Sequence, residues 1–157
     1  MFSYLDHLEC TQCRNIYACS GLMGTCPGCG KVLFARYDLA QMKRNVDRDA
    51  LYARPADMWR FHELLPVLEP ENVISLGEGG TPLLRATNLG KKLGLRDLYI
   101  KDEGLNPTAT FKARGLSAAI SKAYELGVRR LTLPSAGNAA GAAAAYAAKG
   151  GLKAHLF

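Results

Sequence analysis

Four cysteines stand in two Cys-x-x-Cys pairs, Cys10-Thr11-Gln12-Cys13 and Cys26-Pro27-Gly28-Cys29, about a dozen residues apart. Thiolates at this spacing bind a soft divalent metal, and the pattern matches a four-cysteine zinc ribbon. Pro27, Gly28 and Gly30 supply the tight turn that lets the second pair converge. A site closed by four protein sulfurs leaves no open position for substrate, so its expected role is structural. Cys19 is left over and is not expected to be a ligand. A module of this size, spanning 1–40, cannot bury a core of its own, so zinc is expected to hold it together.

A second chemistry centres on Lys112. Asn106-Pro107 initiates a turn. From Phe111 the apolar positions Leu116, Ala119, Ile120, Ala123 and Leu126 recur at helical spacing, closed by Gly127. Thr110 or Thr108 is the candidate N-cap, which puts Lys112 in the first helical turn. The positive end of the helix dipole disfavours a cation there and favours the neutral amine that can condense with a carbonyl. A solvated surface lysine beside Arg114 is the competing reading. The other lysines are less suited: Lys101 sits beside Asp102 and Glu103, Lys122 lies mid-helix, and Lys149 is at a helix end.

Two loops complete the set. Pro134-Ser135-Ala136-Gly137-Asn138-Ala139-Ala140-Gly141 lies between a strand end and a helix start, where open α/β sheets place ligands and free backbone N–H groups bind anions. The alanines after Asn138 let that helix approach either a ligand or a neighbouring helix. Ser75-Leu76-Gly77-Glu78-Gly79-Gly80-Thr81-Pro82 is glycine-rich, but no Gly-Lys-Ser/Thr follows, which excludes a P-loop. It reads either as a surface turn between domains or as a substrate contact.

The chain must position these groups with 157 residues, 48% apolar and 22% charged, which is the composition of a soluble globular protein. The net charge of +6 is scattered and not interleaved with aromatics, so it suggests attraction for small anions and not nucleic acid. The apolar run from Ala139 to Ala148 is too short to span a membrane, and no secretory signal opens the chain. Unpaired metal-spaced cysteines suggest a reducing compartment, the cytoplasm. Val32 to Ala35 reads as a strand, with Tyr37 leading out of the module. Gln41 to Tyr52 reads as a connector, and Pro55 to Leu65 as a helix with Met58, Phe61, Leu64 and Leu65 on one face and Trp59 and His62 as packing or surface residues. From Arg96 the pattern alternates: strand Leu98–Ile100, the Lys112 helix, strand Arg130–Pro134, the alanine helix, and a third strand from Lys153. That is βαβαβ, an α/β fold with a parallel sheet and right-handed crossovers.

Asn106-Pro107-Thr108-x-x-Phe111-Lys112-x-Arg114-Gly115 resembles the lysine segment of the fold-type II pyridoxal phosphate enzymes, the threonine synthase group. Ala109 stands where that group commonly has Gly, and Ala113 where it has Asp. The segment Trp59 to Pro66, the Gly-Glu-Gly loop and the asparagine loop are also similar to that group, in the same order. The resemblance implies that Lys112 carries pyridoxal phosphate, with Phe111 and Asn138 against it. It also implies substrate contacts from Thr81, Ser135, Ala136, Gly137 and Ala139. It divides the chain into the zinc ribbon at 1–40, a linker and helix at 41–72, and at 73–157 part of a parallel-sheet pyridoxal phosphate domain. The implied activity is a carbon–oxygen lyase that converts O-phosphohomoserine and water to threonine and phosphate. The implied partner is a small phosphorylated amino acid, with a homodimer as the full-length state. The loops for the cofactor phosphate and pyridine nitrogen are expected beyond position 157, which marks the sequence as an N-terminal part, inactive alone. Open alternatives are a cysteate synthase-like enzyme, a threonine or serine dehydratase, or a non-catalytic zinc-ribbon module on a degenerate domain.

Overall fold

The computed structural model describes residues 1–157. The cysteine module is a three-stranded antiparallel sheet. Strand β1 (Leu5–Cys10) lies between β2 (Ile16–Ala18) and β3 (Leu33–Tyr37). Leu8 is the pivot of the register, opposite Tyr17 on one side and Ala35 on the other. The expected strand at Val32 to Ala35 is present but displaced, and Tyr37 lies inside it, opposite Leu5, instead of leading out.

The stretch expected as a bare connector carries helix α1 (Leu39–Asn45). Asp38 caps it by accepting from Gln41 N–H at 2.8 Å, and Lys43 and Arg44 complement its C-terminal dipole. The expected helix at Pro55 to Leu65 is instead a 3₁₀ helix over Met58–Leu64, kinked at Phe61. Its buried residues are Trp59 and Glu63, while Phe61 and Leu64 are exposed. Tertiary contact overrides the amphipathic pattern: Met58 N–H donates to the Glu78 carbonyl at 2.7 Å. The backbone at Ala56 also presses on Gly80, where a Cβ would come 2.0 Å from the Ala56 carbonyl oxygen.

Beyond this segment, β4 (Leu83–Arg85) pairs antiparallel with β5 (Tyr99–Lys101), with helix α2 (Thr87–Leu93) between them. Helix α3 (Lys112–Glu125) follows, then β6 (Arg130–Leu133), α4 (Asn138–Lys149) and β7 (Lys153–Leu156). β6 and β7 pair in parallel, Leu131 opposite Ala154. The βαβαβ expectation therefore holds only for its second half. β5 does not join that sheet but pairs with β4, with Asp102 N–H extending the pairing to the Pro82 carbonyl at 3.0 Å.

The main core lies between α3 and α4 and is formed by Ile74, Ala113, Ile120, Ala143, Tyr146, Ala147 and Leu152. Small residues on α4 let the two helices come close, and burying Ile120 contributes about 1.5–3 kcal/mol. Of the apolar stripe expected on α3, only Ile120 is buried in that core, and Phe111 is 57% exposed. Ala119, Ala123 and Leu126 face another way, into an apolar cavity of about 300 Å³ shared with Leu5, Leu8 and Met23 of the cysteine module. Helix α3 thus packs on two sides. Its C-terminal end is tied down by Glu125, which accepts from Lys122 at 2.6 Å and from the N–H groups of Leu68 and Glu69 at 2.8 and 2.9 Å. No helix is long and apolar enough to cross a membrane.

Candidate functional site

Lys112 is the first residue of α3, as its spacing predicts. The turn that delivers it is fixed from both ends. Asn106 is buried, accepts from Gly79 N–H at 3.0 Å and donates to the Glu103 carbonyl and carboxylate at 2.9 Å each. Pro107–Ala109 then makes one 3₁₀ turn in which Thr108 and Ala109 adopt φ of 69° and 53°. Left-handed backbone is costly for residues with a Cβ, and such strain clusters at functional sites. Neither candidate threonine is the N-cap, which is Phe111; Thr110 lies one residue earlier and its hydroxyl accepts from Lys112 N–H at 3.4 Å. The Lys112 side chain is exposed, its Nζ lies 4.8 Å from the Phe111 ring centre, and no carboxylate pairs with it.

α4 packs against α3 and against the Pro107–Ala109 turn that precedes Lys112. Gly137 is the N-cap residue of α4 and Asn138 its first residue, exposed and free of side-chain bonds within the chain. Ser135 is half-buried and accepts from Gly137 N–H at 3.3 Å, and its own N–H donates to the Phe157 carbonyl at 2.9 Å. Ala136 is exposed and Ala139 half-buried. The loop follows the C-terminal end of β6, where a parallel pair places its ligands.

Thr81 lies elsewhere, buried behind the first turn of α3. Its hydroxyl donates to Glu103 at 2.6 Å and faces Arg114, which grips the same carboxylate with a two-pronged contact of 2.6 and 2.8 Å. Arg114, with Thr81 and Asn106, holds the Glu103 carboxyl down at about 2, against a small opposing effect of burial. Ala113 is wholly buried in the core, so at this position the chain packs a methyl group and not a charge.

The most consequential residue missed from sequence is Glu78. Neither a surface turn nor a substrate contact describes it: the carboxylate is fully buried. It accepts from Trp59 Nε1 at 2.8 Å, Tyr146 OH at 2.7 Å, Ser75 OH at 3.2 Å and Leu76 N–H at 3.0 Å. Trp59 Nε1 also lies 2.9 Å from Ser117, whose hydroxyl donates to the Ile74 carbonyl. Burial alone would raise the Glu78 carboxyl, but Ser117, Tyr146 and the Leu76 N–H hold it below its ordinary value. Burial and the adjacent carboxylate push the Tyr146 phenol far up. Glu78 so links α3, which carries Lys112, to α4, which carries Asn138. The only signal for it was a charged residue enclosed by glycines that permit close backbone approach.

The four cysteines converge as expected, with all Sγ atoms within 4.8 Å of one another. Cys10–Cys29, Cys13–Cys26 and Cys13–Cys29 lie at 3.4, 3.6 and 3.6 Å, too long for disulfides and near the ~3.8 Å between sulfurs of a tetrahedral site with ~2.3 Å bonds. Tyr17 OH, 3.2 Å from Cys26, lowers that thiol to about 6, whereas Cys13 ends near 12 because its neighbouring thiols outweigh the Asn15 N–H that lowers it. Four thiols this close ionise together only around a cation, and the donor set is compatible with zinc. Cys19 stands apart, against the Asp6 carbonyl at 3.7 Å.

The chain is 42% identical to a threonine synthase of Methanocaldococcus jannaschii over 145 residues, 92% of this chain and 36% of that one. It is 38% identical to a threonine synthase of Methanosarcina acetivorans over 147 residues, 93% of this chain and 35% of that one. With one of Halalkalibacterium halodurans it shares 47% over 93 residues, 59% of this chain and 26% of that one. The chain therefore spans about a third of the length of the first two relatives. Residues 74–157, which carry the Glu78 loop, Lys112 and Asn138, match the family model described as pyridoxal-phosphate dependent enzyme, and the chain belongs to that family.

Proposed function

We propose that the chain is part of a threonine synthase-like lyase that acts on O-phosphohomoserine and water to give threonine and phosphate, with pyridoxal phosphate bound through Lys112. The observation that carries this reading is the setting of Lys112: an exposed amine without a carboxylate partner, delivered by a strained turn against which the asparagine helix packs. The names of the similar proteins agree with it. The residues present fit the cofactor, since Asn138 is exposed without an internal bond and the loop before it ends on the helix start. When bound, pyridoxal phosphate supplies an electron sink for carbanions. Lys112 Nζ would hold the cofactor and, when free, would be the base that moves protons among the α, β and γ carbons of the substrate. Phe111 and Asn138 would orient the cofactor ring, Asn138 as a hydrogen-bond partner. The backbone of Ser135, Ala136, Gly137 and Ala139 would receive the substrate carboxylate, while Thr81, bonded to Glu103, steadies its own glycine-rich loop at the rim of the site. Cys10, Cys13, Cys26 and Cys29 form a closed structural zinc site at 1–40, joined through 41–72 to the α/β part at 73–157. Such thiols suit a reducing compartment, the cytoplasm.

Borohydride reduction of the full-length holoenzyme and peptide mapping test the assignment. The pyridoxyl group is expected on the peptide containing Phe111 and Lys112. Label on another lysine, or a Lys112→Ala enzyme that keeps the cofactor absorbance and turns over normally, overturns it.

A further inference from the structure

Both ends of the turn that delivers Lys112 are fastened to one carboxylate. Before the strained residues, Asn106 Nδ2 donates to Glu103 Oε2 at 2.9 Å. After them Arg114, two residues beyond Lys112 on α3, donates from Nε to Oε2 at 2.6 Å and from Nη2 to Oε1 at 2.8 Å. The Thr81 hydroxyl donates to Oε1 at 2.6 Å. An ionised carboxylate offers about four lone-pair positions, and these four bonds take them all. Neutralising Arg114 would need neither Asn106 nor Thr81, both of which are buried to reach this carboxylate. Glu103 itself has a firm base, because it follows directly on β5, whose pairing with β4 runs on through Asp102 N–H.

Between the two anchors, Thr108 and Ala109 hold φ of 69° and 53°. Residues with a Cβ stay in such a conformation only where their surroundings over-determine it. Glu103 is the only side chain bonded both before this pair and after Lys112. Lys112 has no bond that fixes its own side chain, since Nζ is exposed and lies only over the Phe111 ring. The place of the amine is therefore set by its backbone. We propose that Glu103 is a positioning residue for Lys112: by pinning Asn106 and Arg114 to one carboxylate, it fixes the backbone from which the amine is presented. The proposal rests on the assignment of Lys112 as the residue that holds the cofactor, and it gives Glu103 no part in moving protons.

The test is Glu103→Gln in the full-length enzyme, where glutamine keeps the shape but turns an amide N–H group toward donors. Three readouts are taken: pyridoxal phosphate affinity from absorbance titration of the apoenzyme, kcat against KM, and hydrogen exchange of the apoenzyme. Cofactor affinity is expected to fall about tenfold and kcat about 10- to 100-fold, as for a reacting group misplaced by ~1 Å. KM for O-phosphohomoserine is expected to stay within about twofold, because the loss lies in presenting the amine and not in binding substrate. Exchange over 107–114 is expected to rise about tenfold while α4 is unchanged. Glu103→Asp keeps the charge and should recover part of the cofactor affinity. Arg114→Lys, which keeps the cation but loses the fork, should show the same pattern, and the double variant should be no worse than the weaker single. Melting curves show whether each variant is folded, and should Glu103→Gln fail to fold, Arg114→Lys decides by the same readouts. A folded Glu103→Gln enzyme with the parental cofactor affinity and exchange over 107–114 overturns the proposal. So does a raised KM with kcat unchanged, which would put Glu103 on the substrate and not behind Lys112. Neither result touches the assignment of Lys112, which is read by the position of the borohydride label.

Discussion

The cysteine module and the α3–α4 pair solve the same problem by opposite means. The module has a complete three-stranded sheet yet buries little: Ile16 and Phe34 on its flanking strands are 66% and 50% exposed. Its innermost side chains are Cys10 and Cys26, two of the four converging sulfurs. The helix pair has no such clamp. It buries Ala113, Ala143, Tyr146 and Ala147 almost completely and then spends its centre on a carboxylate, Glu78. A small sheet buries too little apolar surface to offset its conformational entropy, and four converging thiols, a donor set compatible with zinc, stand where its core would be. Two helices with alanine faces have burial to spare and can hold a buried charge, provided that it is fully hydrogen-bonded.

The sharpest way to break the comparison is Cys26→Ser. If sulfur–metal bonds hold the module, stoichiometric zinc is lost, and with it stability on the order of 10 kcal/mol. Hydrogen exchange should then rise across 5–37 while the α3–α4 core stays protected. Cys19→Ser, whose sulfur lies outside the cluster, should change neither readout. Zinc retained by Cys26→Ser, or exchange rising equally in both halves, would show that the two regions do not differ in this way.

Glu78→Ala tests the other half, with a smaller effect. It strands Trp59 Nε1, Tyr146 OH and the Leu76 N–H, and the expected loss is about 3–5 kcal/mol in urea unfolding. Glu78→Gln keeps the shape and should cost less. The same carboxylates predict the acid limb. The folded carboxyl groups of Glu78 and Glu103 lie below their ordinary 4.5, so the ionised forms stabilise the fold. That stability is complete above pH 4.5 and is lost as pH falls through the folded values, about 2 for Glu103. Glu78→Gln should flatten part of this slope, and an unchanged slope would mean that its charge is not what the network holds.

What could be read from sequence divides along the same line. The convergence of the four cysteines and the helix start at Lys112 were legible because cysteine spacing and proline-to-helix punctuation act locally. The strand partners were not. β4 is three residues long, and nothing in Leu83–Arg85 announces that it will take the edge of β5. The helix expected over Pro55 to Leu65 failed because the backbone of Gly79 and Gly80 presses against it, a contact between segments about twenty residues apart. Glu78 was misplaced for a related reason: a charged residue among glycines resembles a surface turn until Tyr146, far along the chain, is seen to reach it.

Ala109 is where the sequence and the strain meet, and it carries the smallest predicted effect. The lysine segment that this stretch resembles commonly has glycine where Ala109 stands, and Ala109 has φ of 53°, in the region that glycine enters freely. For a residue with a Cβ, left-handed backbone costs about 1–2 kcal/mol, whereas glycine loses about 0.5–1 kcal/mol of extra chain entropy on folding. The difference favours Ala109→Gly by about 0.5–1 kcal/mol. The gain should appear in urea unfolding of the helix pair and leave the zinc content and exchange of the cysteine module untouched. Thr108, at φ 69°, is under the same strain, so Thr108→Gly should add a gain of similar size. If Ala109→Gly is destabilising instead, the turn before Lys112 is held by contacts of the alanine methyl that outweigh its backbone strain. The rigidity of the approach to Lys112 would then come from packing, as in the core behind it, and not from a conformation stored in the turn.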